Sequence, residues 1–337
     1  MRKVLVTGSA GFIGYHLSKM LLDEGFCVVG YDGMTDYYDV RLKQKRHQML
    51  LQNQYFGAIE GMLEDYENLE EVCLSEKPDI IVHLAAQAGV RYSIENPRAY
   101  IDANIVGTFN VMECARKLSV EHLLMASTSS AYGANTAMPY HERQKADSQL
   151  TLYAATKKAN ENMAHSYAHL WNIPTTMFRF FTVYGPWGRP DMALFKFTKG
   201  ILNGEPIDIY NHGEMYRDFT YVTDLVRGIR LLIDSTPIRV EDPVDIEEWD
   251  SLSHAAPFRT VNIGNNDKVK LLDFVEAIEI ECGKEAVRNY MEMQQGDVPA
   301  TWADATLLSE LTGYKPMTDF RQGVRLFVDW YRSYYQV

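Results

Sequence analysis

The sequence of 337 residues predicts an α/β fold with a doubly wound parallel sheet and a smaller mixed α/β domain. Short apolar segments typical of buried strands alternate with longer segments whose apolar residues repeat at helical spacing. The first strand, at 3–6, leads directly into a glycine-rich turn and a helix. This alternation places helices on both faces of a parallel sheet, and the chain is long enough for two domains.

The predicted elements follow one another through the first half of the chain. The later strands are expected at 27–31, 79–84, 122–126 and 175–180, and the longest helices at 100–118 and 152–171. The turn-rich segment 185–190 interrupts the alternation, and shorter mixed elements follow it. We therefore predict a first domain over 1–184 and a second over 185–337. Segments near 215–235 and 258–265 are expected to return to the first domain.

The first turn has glycines at positions 8, 11 and 14, between a strand and a helix. Gly8 permits the tight turn, Gly11 lets the backbone approach a pyrophosphate, and Gly14 lets the helix pack against the strand. The free amides and the partial positive charge at the helix N-terminus favour phosphate. The spacing G-x-x-G-x-x-G in this context predicts a Rossmann domain that binds a dinucleotide.

Asp32 ends the second predicted strand. An acid at this distance from the turn accepts hydrogen bonds from the adenosine ribose hydroxyls. Its charge would repel the 2′-phosphate of NADP, and we therefore predict NAD as the cofactor. The competing interpretation of Asp32 is a cap at the end of the strand.

Tyr153 and Lys157 lie four residues apart in the predicted helix 152–171, so their side chains share one helix face. An ammonium beside a phenol favours the phenolate and is expected to lower the phenol pKa from about 10 toward working pH. The motif Y-x-x-x-K is weak alone, and without the glycine-rich turn a solvated helix face would be the favoured explanation. After a dinucleotide-binding turn, it predicts a proton carrier beside a nicotinamide.

Composition narrows the class of partner. A net charge of −12 without a basic stripe argues against nucleic acid. The four cysteines are scattered without metal-ligand spacing, so we predict no metal site and reduced thiols. With no signal peptide and no apolar segment of about 18 residues, a cytoplasmic protein without membrane association is expected.

Several motifs, taken in order, resemble those of the extended short-chain dehydrogenase/reductase family. They are Thr7–Gly14, His83-Leu84-Ala85-Ala86, Ser127–Gly133, Tyr153–Lys157 and Arg217–Val222. Within this family the chain is similar to the nucleotide-sugar epimerases, and most similar to the subgroup that acts on UDP-glucuronate. The closer similarity rests on segments 36–39, 87–93, 179–186 and 188–192. The resemblance covers nearly the whole chain.

The resemblance implies reversible, NAD-dependent epimerisation at C4 of UDP-glucuronate to UDP-galacturonate, through a 4-keto intermediate. Tyr153 would take the proton of the 4-hydroxyl, Lys157 would stabilise the phenolate, and Thr128 would orient the hydroxyl. The bound NAD would act as a catalyst that is not consumed.

The resemblance also implies two sets of contacts. Cofactor contacts are expected from Gly8, Gly11, Phe12, Ile13, Gly14, Asp32, Leu63, Leu84, Ala85, Ala86, Tyr153 and Lys157. Substrate contacts are expected from Thr128, Ser129, Ser130, Thr182, Arg91, Arg189, Arg217 and Asp297. Arg189 and Arg217 would pair with the diphosphate and Asp297 with the uridine ribose, although each also fits a solvated loop charge. For Arg91, a salt bridge within a loop is an equal alternative.

One motif departs from the family pattern. Relatives carry Asp-hydrophobe-x-Asp after the third strand, where the first Asp binds the adenine amino group, and this chain has Met62 there. Adenine is therefore expected to be held by backbone groups and Leu63.

The segment Ser129–Ala131 has no carboxylate, unlike the corresponding segments of related dehydratases and decarboxylases. A carboxylate would repel a uronate, whereas hydroxyls can donate to it. The alternatives left open are a UDP-glucose or UDP-N-acetylglucosamine 4-epimerase, a UDP-glucuronate decarboxylase and, least favoured, a non-catalytic NAD-binding regulator. A homodimer is expected, formed through the helices near 100–118 and 152–171.

Overall fold

A computed structural model describes all 337 residues of the chain. The strands are β1 (Lys3–Thr7), β2 (Cys27–Asp32), β3 (Phe56–Glu60), β4 (Ile80–His83), β5 (His122–Ala126), β6 (Thr175–Phe180), β7 (Thr182–Tyr184), β8 (Ile207–Tyr210), β9 (Tyr216–Arg217), β10 (Phe219–Tyr221), β11 (Phe258–Ile263), β12 (Val269–Lys270), β13 (Arg288–Met291) and β14 (Ala300–Thr301). The α-helices are α1 (Phe12–Asp23), α2 (Val40–Leu50), α3 (Tyr66–Glu76), α4 (Tyr92–Glu95), α5 (Pro97–Tyr100), α6 (Thr108–Leu118), α7 (Leu152–Trp171), α8 (Ala193–Asn203), α9 (Val222–Ile233), α10 (Leu271–Cys282), α11 (Thr306–Thr312) and α12 (Phe320–Tyr335).

The centre of the molecule is a seven-stranded parallel sheet in the order β11-β6-β5-β4-β1-β2-β3. Apolar side chains of α1, α9 and α11 pack on one face of this sheet, and those of α3, α6 and α7 pack on the other. The doubly wound α/β prediction is confirmed. Because β1 pairs with both β2 and β4, the chain reverses its winding direction beside β1, which is where such folds form a crevice.

The predicted strands at 122–126 and 175–180 and the predicted helix 152–171 coincide with β5, β6 and α7. The helix predicted over 100–118 is present as one continuous helical segment, but its residues 101–107 form a π-helix between α5 and α6. Within that wider turn, the buried Asn104 side chain accepts from the Gln87 N–H at 2.8 Å and donates to the Gln87 carbonyl at 3.0 Å. Helical periodicity alone cannot distinguish this insertion from a regular helix.

The second half of the chain builds smaller sheets around a separate apolar cluster. Their strand orders are β10-β7, β12-β9-β14 and β13-β8, and α8, α10 and α12 contribute most of the apolar side chains. Two segments of this half contact the large sheet instead, since β11 pairs with β6 and α9 packs against α1. The domain division between 184 and 185 stays a prediction. None of the helices has the length and apolar character needed to cross a bilayer.

Candidate active site

A cleft of about 1060 Å³ lies along the carboxyl ends of β1, β4, β5 and β6. The segments that follow these strands form one wall, and residues of the second half form the other. Every residue that the sequence predicted to bind cofactor or substrate lines this cleft, from Gly8 at one end to Asp297 at the other. The fold therefore brings the two predicted sets of contacts into one continuous space.

The glycine-rich turn forms the first end of the cleft. Gly8 has a φ of +75°, and its N–H donates to the carbonyl of Tyr31 at 2.8 Å. A Cβ atom at Gly14 would lie 2.0 Å from the Gly8 carbonyl oxygen, and one at Gly8 would lie 2.8 Å from the Ala85 nitrogen. No side chain caps the N-terminus of α1, so its first N–H groups remain available to an anion. This turn fits the diphosphate of a dinucleotide.

Asp32 lies beside the turn and is nearly fully buried. Its carboxylate accepts from the N–H groups of Ala10 at 3.0 Å and Met34 at 2.9 Å, which fixes its orientation. Lys43, which the sequence did not single out, lies in the same end of the cleft and donates from Nζ to the Thr35 carbonyl at 2.6 Å. Burial lowers the pKa of Lys43, and the charge of Asp32 partly offsets this effect. The loop between β2 and α2 sets the place of Lys43, so no sequence spacing marks it.

Tyr153 and Lys157 lie on the first turns of α7, at the middle of the cleft. Lys157 is buried, donates from Nζ to the Ala126 carbonyl at 3.0 Å, and has a pKa that burial lowers to about 8. Burial raises the pKa of Tyr153 above its ordinary value, while a hydrogen bond with Thr128 and the charge of Arg189 act in the opposite direction. The phenol pKa of Tyr153 is thus raised and not lowered as the sequence predicted, because burial outweighs the effects that oppose it.

The small polar residues Thr128, Ser129 and Ser130 follow β5 and enter a 3-10 turn. Thr128 caps this turn, since its Oγ1 accepts from the Ser130 N–H at 3.2 Å. Thr182 begins β7 and lines the cleft together with these three residues. These four residues, Thr128, Ser129, Ser130 and Thr182, line the cleft with hydroxyl groups and no carboxylate among them, and they form the hydroxyl cluster.

A buried ion pair lies directly behind the hydroxyl cluster. Glu161, one turn beyond Lys157 on α7, accepts from Arg179 on β6 through Nε at 2.8 Å and through a terminal nitrogen at 2.7 Å. Ser127, the residue before the cluster, donates to the same carboxylate at 2.6 Å. Both charged side chains are 3 % exposed. The pair of Glu161 and Arg179 was not predicted, although the spacing of four residues from Lys157 places Glu161 on the same helix face.

Two further pairs of oppositely charged residues line the cleft. Arg189 donates to both oxygens of Asp191, at 3.0 and 2.5 Å. Arg91 lies 3.4 Å from the Asp297 carboxylate and stacks over the Tyr210 ring at 4.7 Å. For Arg91 the structure thus contains the salt bridge that the sequence left as an alternative. Asp191 was missed, because an acidic residue two positions after an arginine is common in loops.

Comparison with known proteins gives matches over the whole chain. The model of the NAD dependent epimerase/dehydratase family matches residues 4–241. A Rhizobium meliloti protein described as "Probable UDP-glucuronate 4-epimerase" is 54% identical over 334 residues, which cover 99% of this chain and 98% of that protein. UDP-glucuronate 4-epimerase 4 of Arabidopsis thaliana is 43% identical over 337 residues, covering 98% of this chain and 76% of that protein.

Solved structures also match over nearly the whole chain. The crystal structure of UDP-glucuronic acid 4-epimerase from Bacillus cereus, in complex with UDP-glucuronic acid and NAD, superposes with a TM-score of 0.87 at 31% identity. That match covers 99% of this chain and 100% of the other. UDP-glucose 4-epimerase from Thermotoga maritima, solved with UDP-glucose, has a TM-score of 0.84 at 27% identity and covers 99% of each chain.

Proposed function

The chain belongs to the NAD dependent epimerase/dehydratase family, and from this premise we propose that it interconverts UDP-glucuronate and UDP-galacturonate at C4 of the sugar. One observation carries the proposal. The cleft combines an anion-binding turn, the Tyr153/Lys157 pair and the hydroxyl cluster, and no carboxylate lies within that cluster. The relatives named for this activity match nearly the full chain.

The residues at the first end of the cleft fit NAD. The glycine-rich turn would hold its diphosphate, and Asp32 would accept from the adenosine ribose hydroxyls. Leu63, Leu84, Ala85 and Ala86 would line the bound dinucleotide, with the half-exposed Met62 at the position where relatives carry an acid. When bound, NAD supplies a hydride acceptor that returns the hydride later in the same turnover.

Tyr153 is proposed to carry the proton of the sugar 4-hydroxyl. Burial raises the pKa of Tyr153, and the Thr128 hydrogen bond and the charge of Arg189 reduce that rise without reversing it. Tyr153 then holds the proton until the 4-keto sugar is reduced, and returns it to the new hydroxyl. Lys157, anchored on the Ala126 carbonyl, would fix the position of the nicotinamide ribose beside Tyr153.

The hydroxyl cluster is proposed to bind the C6 carboxylate of the uronate. Hydroxyl donors make charge-assisted hydrogen bonds to a carboxylate, and these are about twice as strong as neutral ones. The 4-keto intermediate is a β-keto acid that can lose carbon dioxide. An epimerase must therefore hold the carboxylate in an orientation that disfavours this loss.

The nucleotide is proposed to be held by Arg189, Arg217 and Asp297, which line the cleft. The arginines would pair with the diphosphate and Asp297 with a uridine ribose hydroxyl. Epimerisation requires the 4-keto sugar to present its opposite face to the cofactor. The sugar can turn in this way if the nucleotide is held firmly and the sugar itself is surrounded by small side chains.

The direct test is to incubate the purified protein with UDP-glucuronate and to identify the products by NMR. UDP-galacturonate is the expected product, with little carbon dioxide released. A preference for UDP-glucose would mean that the substrate is a neutral sugar nucleotide. A main product of UDP-pentose would mean that the enzyme is a decarboxylase. Either outcome would overturn the proposed reaction.

Removing single hydroxyls from the cluster should change both the rate and the product. We expect Ser130→Ala and Thr182→Ala each to lower kcat/KM for UDP-glucuronate about tenfold, since one charge-assisted hydrogen bond is lost. The loosened carboxylate should also raise the fraction of product that is a UDP-pentose, measured by NMR. Ser166→Ala is the control, because Ser166 is exposed on α7 and donates to the Asn162 carbonyl away from the cleft. Unchanged product ratios in both cluster variants would contradict this role.

A homodimer is proposed from the apolar side chains that remain exposed on two long helical segments. Ile101, Val106 and Phe109 are 37%, 40% and 44% exposed on the segment from the π-helix into α6, and Leu170 is 65% exposed on α7. Exposed apolar side chains on neighbouring helices favour association with a second copy. Light scattering should give twice the mass of one chain, and Phe109→Glu should shift the protein toward the monomer. A single-chain mass for the unmodified protein at micromolar concentration would refute the dimer.

We also propose that the protein works in the cytoplasm. Its four cysteines are unpaired, and three of them are buried, which suits a reducing compartment.

A further inference from the structure

Arg46 on α2 is a fully buried cation without an acidic partner. Its side chain has 0% exposure, and it forms none of the salt bridges in the structure. One terminal nitrogen donates to the Ala10 carbonyl and to the Tyr38 hydroxyl, each at 2.8 Å, and the other donates to the Trp187 carbonyl at 2.6 Å. Its Nε has no hydrogen-bond partner. A buried charge whose partners are all neutral is costly, so its presence calls for a compensating anion.

The position of Arg46 indicates where that anion lies. Ala10 is part of the glycine-rich turn, and its carbonyl accepts from Arg46 while its N–H donates to Asp32. Lys43 is the other buried cation in this region. Two buried cations thus accompany one buried carboxylate at the anion-binding end of the cleft, and the carboxylate of Asp36, which also acts on Lys43, is exposed. The neighbouring His16 adds no charge near neutral pH, because burial lowers its pKa to about 4.

We propose that the buried positive charge of Arg46 favours binding of the NAD diphosphate. Arg46 would act through its hydrogen bond to the Ala10 carbonyl, which belongs to the glycine-rich turn. Arg46 does not reach the cleft, so it acts as a positioning residue and not as a catalytic one. The inference rests on NAD being the cofactor, and it does not depend on the identity of the sugar. Under this proposal, bound NAD compensates the buried positive charge of Arg46 and so stabilises the folded protein.

The same side chain also holds the loop that leads to Arg189. Arg46 donates to the Trp187 carbonyl, and His16 donates to the Pro186 carbonyl at 2.9 Å. The effect of the charge of Arg46 on NAD binding can be separated from the effect of its forked hydrogen bonds by two substitutions. Arg46→Gln keeps N–H donors and removes the charge, whereas Arg46→Lys keeps the charge and removes the fork.

The test uses the full chain freed of NAD, with NAD affinity measured by calorimetry and Tm measured with and without saturating NAD. Arg46→Gln should weaken NAD binding about tenfold, the scale expected for one buried charge acting across a peptide. It should also shrink the rise in Tm that NAD produces, while Arg46→Lys should change NAD affinity less than about threefold. Lys45→Met removes a charge from the exposed face of the same helix and should change neither quantity.

A purely structural role gives a different result. In that case Arg46→Gln would lower the Tm of the NAD-free and NAD-bound forms equally and leave NAD affinity unchanged, which would overturn the proposal. If Arg46→Gln does not fold, the NAD affinity of Arg46→Lys tests the proposal instead. A tenfold loss of NAD affinity in Arg46→Lys would overturn the role of charge, and retained affinity would support it. No sugar nucleotide is present in these measurements, so an error in the proposed substrate would not alter them.

Discussion

Tyr153→Phe is expected to lower the rate of C4 epimerisation at least about a hundredfold, the usual scale for loss of a general acid–base group. The substitution removes the phenol hydroxyl and keeps the ring, which packs edge-on against Tyr100 with a centroid distance of 6.0 Å. Binding of the sugar nucleotide should stay close to that of the unmodified protein, because the side chains proposed to hold the nucleotide are unchanged. The measurement is kcat by NMR together with a calorimetric titration of UDP.

Tyr167→Phe is the matched control for this experiment. Tyr167 lies on the same helix, and its hydroxyl donates to Glu113 at 2.6 Å outside the cleft. Its removal should leave kcat unchanged. Near-normal turnover in Tyr153→Phe would remove Tyr153 from the proposed proton transfer.

Glu161→Gln should cause the largest loss of stability, about 3–5 kcal/mol in the free energy of unfolding, because it leaves Arg179 buried without its anion. Arg179 has one further terminal nitrogen without a partner, so it has no replacement for the lost carboxylate. The free energy of unfolding from urea titrations measures the effect. Asp23→Asn is the control, since it breaks an exposed pair with Lys19 and should change stability little.

The contribution of Glu161 should also depend on pH. Burial opposes its ionisation, but the attraction and hydrogen bonds of Arg179 outweigh burial and lower the pKa of Glu161 to about 2, from an ordinary value of 4.5. The unfolded chain therefore binds a proton at higher pH than the folded one, so the stabilisation is complete above pH 4.5 and is lost as pH falls toward 2. The difference in stability between Glu161→Gln and the unmodified protein should be larger at pH 6 than at pH 3. An equal difference at both pH values would show that the ion pair is not its source.

The parts of the molecule governed by local patterns could be predicted from the sequence. Apolar strands, the helix α7 and the glycine turn follow from residue type and spacing, and parallel pairing then brings strand ends together at one edge. The roles proposed for individual site residues stay predictions, although the fold places all of those residues on one cleft.

Features set by long-range packing could not be predicted in this way. The ion pair between Glu161 and Arg179 joins α7 to β6, and Arg46 joins α2 to a loop more than a hundred residues later in the chain. The phenol pKa of Tyr153 depends on how densely the folded cleft surrounds it, which no motif records. Within the π-helix at 101–107, Asn104 contacts Gln87 from another segment, a contact that helical periodicity does not record.

The strand order of the central sheet has a consequence for how the protein is made on the ribosome. The strand β6 is translated early, but its outer neighbour β11 ends only at residue 263 and is buried along its whole length. While the ribosome adds the segment 181–257, β6 presents an open edge, and an open edge pairs readily with other chains. A nascent chain that stalls before residue 263 therefore carries this edge without its partner strand, open to pairing with another chain.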